Sequence, residues 1–360
     1  MENKIRTRNM DGNKPDTEGG SSRVIGQAAA WFTILLWGTT FVSIKILLEE
    51  FNPAEILLFR FIMGYCALFL ACPRRLKTTG IRQEITFVLA GLSGVCLYYL
   101  LENIALTYTM ASNVGVVVSV SPFFTAILFH FVRRRKKNST ASNDRKISSI
   151  TSDEGTRSGT ASDKETKSGT VSDKRRHEED GEEKLQPSFF LGFLVAMTGI
   201  VMISFNGSQL KLNPAGDILS VIAAFSWACY SLLTRKISGY GYPVILTTRR
   251  AFFYGILFML PSILLYDVEF RLERFSHPVY LFNFLYLGLG ASALCFTTWN
   301  VAVKRLGPVK TSVYIYLVPV ITVVTSALIL KEPVNWITAV GTLLAIAGLF
   351  LSNFKSAKAT

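Results

Sequence analysis

The sequence predicts an all-α integral membrane protein with ten transmembrane helices, arranged as two inverted five-helix repeats. Half of the 360 residues are hydrophobic, and only 18% are charged. The mean hydropathy is positive, at +0.35. Long apolar runs recur along the chain between short polar segments, which is typical of a protein that lies in lipid. Because lipid offers no partner for an unpaired backbone amide, these runs are expected to be helices.

Each predicted helix is based on an apolar run of about 20 residues, the length that crosses the hydrocarbon core. The predicted helices lie at residues 27–48, 54–72, 85–106, 111–132, 189–205, 217–233, 245–266, 280–303, 311–330 and 336–354. The chain accordingly divides into a polar cytoplasmic tail at 1–24, a first repeat at 25–132, a disordered charged loop at 133–187, the fifth helix at 188–206 and a second repeat at 215–355.

The distribution of basic residues predicts the orientation of the helices. Five Lys and Arg residues precede the first helix, whereas Glu49 and Glu50 follow it without a basic residue. Lys and Arg are enriched on the cytoplasmic side of membrane proteins, so a cytoplasmic N-terminus is expected. An even number of helices returns the C-terminus to the same side, which predicts a multi-pass protein of the cytoplasmic membrane. The net charge of +13 is then a consequence of topology, and no nucleic-acid partner is expected.

The two halves of the chain resemble each other in three successive blocks, each with its own offset in the numbering. The offsets are 190 residues for the first two helices of each half, 197 for the next two and 149 for the last. The aligned pairs include Trp37 with Trp227, Arg60 with Arg250, Asn103 with Asn300, Pro122 with Pro319, Gly192 with Gly341 and Gly199 with Gly348. Because each half has an odd number of helices, the second half must enter the membrane upside down. Inverted repeats of this kind recur in secondary transporters.

An insertion at residues 136–182 interrupts only the first half. It contains near-copies of one decapeptide, at residues 151–160 and 161–170, and lacks the apolar content to build a core. A solvated linker and a regulatory or partner-binding segment are both compatible with this composition. The basic run at 133–137 before it is expected to stop transfer through the membrane, or else to hold anionic lipid headgroups.

Several short motifs, in their order and spacing, resemble the drug/metabolite transporter superfamily, specifically its ten-helix EamA-type members. The motifs are Trp37-Gly-Thr-Thr, Leu57-Leu-Phe-Arg60, Leu97 to Tyr108, Ser121-Pro122, Gly216-Asp217, Trp227-Ala-Cys-Tyr-Ser231, Trp299-Asn300-Val-Ala302 and Lys331-Glu-Pro333. The resemblance covers roughly residues 25–355, apart from the insertion. It implies export of small molecules, often amino acids or related metabolites. Neither enzymatic activity nor a cofactor is expected of the chain. The sequence contains no GxxxxGK[ST] motif, so ATP is not expected to drive transport directly.

Glu102 is the main candidate for coupling transport to protons. It follows Tyr98 by one helical turn in the third predicted helix, among apolar residues where an ionised carboxylate is expensive and a neutral one is cheaper. The alternative is a hydrated or ion-paired structural role near the outer end of the helix. Arg60 and Arg250 are candidate anchors for a substrate carboxylate, or latches at the two gates, because guanidinium binds carboxylate in a bidentate fork. The alternative is that they brace neighbouring helices. Together with Glu102 they suit a zwitterionic substrate.

The remaining candidates are polar or aromatic residues on the repeated motifs. The tryptophans are expected either to line a solute cavity or only to pack, and the asparagines either to contact substrate or to bond between helices. Pro122 and Pro319 are expected to interrupt their helices, with a serine and a tyrosine beside the breaks as further substrate contacts. These candidates are Trp37, Tyr98, Trp227, Trp299, Asn103, Asn300, Ser121 and Tyr316.

Two other functional classes fit the sequence less well than transport. An integral-membrane enzyme would need clustered Asp, His or Lys, and the three histidines lie on separate segments. A membrane scaffold or sensor would act through the inserted loop. The repeated glycines at Gly192, Gly199, Gly341 and Gly348 predict close helix packing, either within the chain or in a homodimer. Secondary transport of a small molecule through the bilayer remains the favoured interpretation.

Overall fold

The computed structural model describes residues 17–108, 111–134, 187–204, 214–265, 272–329 and 336–353, and these residues are almost entirely helical without a strand. The inserted loop at 136–182 lies outside the described residues, as do the basic residues 135–137. The helices, numbered in chain order, are α1 (Thr17–Leu47), α2 (Pro53–Ala71), α3 (Ile81–Tyr108), α4 (residues 111–134), α5 (Pro187–Ser204), α6 (Pro214–Ser238), α7 (Val244–Leu265), α8 (Pro278–Leu306), α9 (Pro308–Ile329) and α10 (Trp336–Asn353).

The ten helices correspond one to one with the ten predicted apolar runs. Within the described ranges, seven of them are long and apolar enough to cross a membrane: α1, α2, α3, α6, α7, α8 and α9. Shorter apolar stretches lie in α5, at Pro187–Met202, and in α10, at Ala339–Ser352. The main differences in the boundaries are at the starts of α1 and α3. The first helix extends back to Thr17, into the predicted tail, and the third begins at Ile81, so that Glu84 is helical.

The contacts between helices have the two-fold pattern that the repeats predict. Helix α1 packs on α8 and α9, and its repeat equivalent α6 packs on α3 and α4. In the same way, α2 packs on α8 while α7 packs on α3. The self-equivalent pairs, α2 with α7 and α5 with α10, pack against each other. The two halves therefore interdigitate about a pseudo-two-fold axis, and with five helices in each half they are inverted relative to each other.

Helices α3 and α8 carry π-helical segments at equivalent places, Gly91–Leu97 and Tyr286–Leu294. The repeat-equivalent glycines of these segments lie where a neighbouring helix comes very close. A Cβ on Gly91 would lie 2.6 Å from the carbonyl oxygen of Ala251 in α7, and one on Gly288 would lie 2.7 Å from Cβ of Met63 in α2. Such segments change the facing of the residues that follow and are frequent at functional sites. Here the following residues include Tyr98 and Glu102 in α3.

Helices α4 and α9 are interrupted next to their prolines, as predicted. In α4 a turn at residues 119–120 precedes Pro122. In α9 a 3-10 segment, Val313–Leu317, precedes Pro319. The proline ring removes an amide donor and clashes with the preceding turn, which accounts for both interruptions.

The repeated glycines bring α5 and α10 together within one chain. A Cβ on Gly199 would lie 2.4 Å from the carbonyl oxygen of Gly341, and one on Gly348 would lie 2.4 Å from the amide nitrogen of Ala196. The same holds for Gly192, whose Cβ would lie 2.3 Å from Oγ of Ser352. The glycines therefore serve packing inside the chain, and the homodimer that they suggested has no support from them.

Candidate functional site

Three of the predicted tryptophans form one aromatic cluster at the centre of the bundle. Trp37 of α1 meets Trp227 of α6 with ring centroids 5.1 Å apart and nearly perpendicular planes. Trp299 of α8 lies 5.1 Å from Trp37 and 5.7 Å from Trp227, and Phe296 contacts both of them. Because Trp37 and Trp227 are repeat equivalents, their contact lies close to the pseudo-two-fold axis. Edge-to-face contacts of this kind add to the apolar area that the rings bury.

A small cavity lies against this cluster and contains four of the predicted site residues: Trp37, Tyr98, Glu102 and Trp227. Its volume is about 30 Å³, roughly that of one water molecule in the liquid. The rest of the lining is Thr40, Phe41, Tyr99, Val118, Ile315 and Val318. The site is thus built from α1, α3, α4, α6 and α9, so both repeats contribute to it.

Glu102 is buried, with 3% of its surface exposed. The hydroxyl of Tyr98, one turn earlier in α3, donates to Glu102 Oε1 at 2.9 Å. In the described part of the chain, no Lys, Arg or His forms an ion pair with this carboxylate. The buried position is compatible with the predicted coupling role, which stays a prediction. A buried carboxylate with a single hydroxyl donor retains the capacity to accept a proton or a cationic ligand.

Arg60 of α2 is completely buried beside the same site. Its Nε donates to Ser292 Oγ at 3.0 Å, and its guanidinium lies 4.3 Å from the ring centroid of Tyr99. Within the described ranges, Nη1 and Nη2 have no hydrogen-bond partner. Arg60 is close enough to Glu102 to interact with it electrostatically, yet the two make no direct ion pair. The guanidinium therefore has two nitrogens whose N–H groups are unused, close to a cavity that is lined by a carboxylate.

The repeats are not equivalent at the charged positions. Asn103 and Asn300 are equivalents, so Glu102 is matched by Trp299. Arg60 is likewise matched by Arg250, which lies elsewhere in the molecule. The acidic and basic groups near the cavity consequently come from the first repeat. At the position equivalent to Glu102, the second repeat supplies the ring of Trp299.

Arg250 does not join Glu102 and is bound at another site. It donates from Nε to Glu84 Oε1 at 2.8 Å and forms an ion pair with the same carboxylate, which also accepts from the hydroxyl of Tyr254. The neighbouring Arg249 donates to the backbone carbonyls of Cys72 and Arg74. Arg250 therefore links α7 to the start of α3, and the latch role stays a hypothesis.

The two asparagines make hydrogen bonds between helices. Asn103 Nδ2 donates to the carbonyl of Pro53, at the start of α2, at 3.1 Å. Asn300 Nδ2 donates to Thr248 Oγ1 at 2.9 Å and accepts from the hydroxyl of Tyr230 at 3.0 Å. The structure thus gives both residues a bracing role, and neither lies in the lining of the Glu102 cavity. Asn300 instead borders a separate cavity of about 20 Å³ between α6, α7 and α8.

Ser121 and Tyr316 are buried next to the breaks in α4 and α9. Among the described residues, neither hydroxyl has a hydrogen-bond partner. Neither side chain lines the Glu102 cavity, although Ile315, the neighbour of Tyr316, does.

Sequence reasoning missed Tyr99, Ser292 and Glu84. Tyr99 could have been proposed from the sequence, because it is the neighbour of Tyr98 and lies in the same helical turn. Ser292 is a lone hydroxyl in an apolar run, so no pattern distinguishes it from a packing residue. Glu84 was assigned to a loop because the predicted third helix began after it. In the described ranges, no group of His, Cys, Asp or Glu is arranged to hold a metal ion.

Comparison with known proteins agrees with this architecture. Over 335 residues, covering 90% of this chain and 95% of the relative, the sequence is 26% identical to an uncharacterized transporter of Archaeoglobus fulgidus. It is 21% identical to a probable terminal-alkyne amino-acid exporter of Streptantibioticus cattleyicolor, covering 90% of this chain and 93% of that one. A probable amino-acid metabolite efflux pump of Salmonella typhimurium is 27% identical over 180 residues, 48% of this chain and 60% of the pump.

A solved crystal structure superposes on the chain with a TM-score of 0.62 at 16% identity, covering 93% of this chain and 96% of that one, which supports the fold. Residues 24–141 and 214–354 each match the EamA-like transporter family. The two matches correspond to the two repeats, and together they span more than half of the sequence. The chain therefore belongs to the EamA-like transporter family.

Proposed function

We propose that the chain is a secondary transporter that exports small zwitterionic metabolites, such as amino acids or their derivatives, by alternating access. The observation that carries the proposal is that Glu102 lines a buried cavity while Arg60 lies behind Tyr99 of the same lining, without a direct ion pair between the two. Two unpartnered guanidinium nitrogens suit a substrate carboxylate, and the Glu102 carboxylate suits a substrate ammonium. The Salmonella and Streptantibioticus relatives are named as probable exporters of amino-acid compounds, which supports the same substrate class.

The small size of the cavity supports a conformational cycle. Pockets for small ligands usually measure 300–1,000 Å³, whereas this cavity holds about 30 Å³. Helices must therefore separate before a substrate can enter. Contacts that such a movement would break lie at both ends of the bundle. At one end Arg250 pairs with Glu84, and at the other Arg274 pairs with Glu55 at 3.3 Å. By the orientation proposed from the basic residues, the first end faces the cytoplasm.

The surroundings of Glu102 support proton coupling through this residue. A carboxylate in the bundle interior is cheapest when neutral or when paired with a cation. A proton and a substrate ammonium would therefore compete for the same oxygens, and exchange of one for the other couples their movements. No charged residue of the second repeat could substitute for it, because Trp299 stands at the equivalent position.

The test is exchange flux of a labelled amino-acid pool in proteoliposomes containing the full chain. We expect flux above that of empty liposomes, and losses of at least about tenfold in Arg60→Gln and Glu102→Gln, because each removes a charge-assisted contact. Arg82→Gln and Glu49→Gln remove the same charges from exposed positions and should retain flux. Equal flux in all four variants would exclude the proposed site, and no flux with any amino acid would exclude the substrate class.

A further inference from the structure

A second and larger cavity lies between the end of α2, the segment that follows it and the start of α7. Its volume is about 400 Å³. Three arginines line it, with no acidic residue among the lining. The lining consists of Tyr65, Phe69, Arg75, Leu76, Leu246, Arg249, Arg250 and Phe253. This volume falls within the range of pockets that hold organic ligands, unlike the small cavities at Glu102 and Asn300.

The three arginines have different roles in the cavity. Arg249 is buried and uses its guanidinium to hold the carbonyls of Cys72 and Arg74, which orders the segment that carries Arg75. Arg250 is partly exposed and is neutralised on one side by Glu84. Arg75 is exposed, and no described residue forms an ion pair with it. Among the described residues, Arg75 is therefore the unpaired cation of the lining. Arg250 is shared with Glu84, and Arg249 positions the backbone.

The wall of the cavity is aromatic and faces outward from the bundle. Phe69 and Phe253 have 46% and 45% of their surfaces exposed. The Arg249 guanidinium lies 5.4 Å from the Phe69 ring centroid, and that of Arg250 lies 5.9 Å from the Phe253 ring centroid. Phe69 lies in the last turn of α2, whereas Phe253 lies about two and a half turns after the start of α7, deeper in the helix. Cations and rings thus meet where the phosphate and upper acyl chain of a phospholipid would lie.

We propose that this cavity binds the phosphate of an anionic phospholipid, with Arg75 and Arg250 on the phosphate oxygens and the acyl chains along Phe69 and Phe253. Guanidinium groups match phosphate geometry, and basic pockets between membrane helices are suited to anionic headgroups. The aromatic wall favours a lipid over a soluble phosphate, which would gain nothing from exposed rings. Because the cavity joins α2 to α7 beside Glu84, a bound lipid would stabilise the state in which this end of the bundle is closed.

The test measures phospholipid binding by native mass spectrometry of the full chain in neutral detergent. Phosphatidylglycerol is titrated against phosphatidylcholine, with inorganic phosphate as competitor. We expect a preference for phosphatidylglycerol that Arg75→Gln reduces by at least about tenfold. Arg74→Gln removes a neighbouring exposed cation outside the cavity, and it should cost no more than about fivefold, the effect of one charge near a surface. Glu84→Gln should instead strengthen binding, because it frees Arg250.

Three results would overturn the proposal. Equal losses in Arg75→Gln and Arg74→Gln would mean that only diffuse surface charge attracts the lipid. Displacement of phosphatidylglycerol by inorganic phosphate would mean that the site takes soluble phosphate. Weaker binding in Glu84→Gln, with an unchanged thermal unfolding temperature, would mean that Arg250 does not contact the phosphate. Size-exclusion profiles of the variants confirm that each remains folded.

Discussion

The burial of Arg60 is energetically unfavourable for the folded protein. Taking a charged side chain out of water costs several kcal/mol unless other groups replace its hydration. Here Ser292 and the Tyr99 ring replace only part of it. A local arrangement that destabilises the protein without compensation is expected at functional sites. The expected cost of burying this charge thus gives a reason, apart from transport, to propose a ligand-binding role for Arg60.

If Glu102 carries the proton, its replacement should change how flux responds to a pH gradient. Glu102→Gln keeps the size of the side chain and its hydrogen bond with Tyr98, but it cannot exchange a proton. We expect any remaining exchange flux of the variant to be independent of an imposed pH gradient, whereas flux of the unaltered chain increases when the substrate-free side is acidic. The measurement is initial flux at several gradients in proteoliposomes.

Glu49→Gln serves as the control, since Glu49 is exposed at the end of α1. It should respond to the gradient as the unaltered chain does. A Glu102→Gln variant with an undiminished response would remove the carboxylate from the coupling step and leave only its proposed contact with substrate.

At the scale of elements, close helix packing depends on single glycines. The glycines of α5 and α10 bring two backbones together, and those in the π-helical segments allow α3 and α8 to contact α7 and α2. In lipid there is little hydrophobic drive between helices, so such close contact is a principal source of association energy. The sequence revealed the positions of these glycines through the repeat. It did not reveal the π-helices, since no composition signal separates them from α-helix and tertiary contacts decide between the two.

The element-scale prediction compares two glycines. Gly199→Ala would place a methyl group 2.4 Å from the carbonyl oxygen of Gly341, whereas Gly115→Ala meets nothing within 4 Å. We expect Gly199→Ala to destabilise the protein by about 1–3 kcal/mol, the usual cost of overpacking. Gly115→Ala should be neutral or stabilising, because alanine has the higher helix propensity. Thermal unfolding in detergent measures both, and equal unfolding temperatures would contradict the packing of α5 on α10.

At the scale of the whole molecule, most of the fold was predictable and the site only in part. The ten helices follow from apolar length, and the repeat follows from paired residues such as Trp37 and Trp227. Which side chains meet depends on how each helix is rotated about its own axis. The sequence indicates this rotation only weakly when nearly every face of a helix is apolar. For this reason the sequence pointed to Glu102 and Tyr98 but not to Ser292, and it left open whether Arg250 joins a substrate site or acts at a gate. In the structure Arg250 pairs with Glu84.

The inserted loop is expected to be dispensable for transport. Every proposed substrate contact lies in the helices, so deletion of residues 138–182 should leave exchange flux within about twofold of that of the full chain. The measurement is the same proteoliposome assay, with protein content matched. Loss of flux, together with normal yield and unfolding temperature, would instead favour the scaffold or sensor function in which the loop is the active part.

The unequal repeats have a consequence for the proposed transport cycle. Two identical halves would interchange their shapes during a cycle, so the inward-open and outward-open conformations would have equal free energy. Here Glu102 is opposed by Trp299, and Arg60 by an arginine that is already paired with Glu84. Exchanging the shapes of the two halves therefore does not reproduce the starting molecule. In the proposed cycle, no symmetry therefore makes the two openings of the empty protein equal in free energy. A bias between them gives uptake and release different half-saturation concentrations and maximal rates when each is measured toward a substrate-free side, while net flux still follows the gradients.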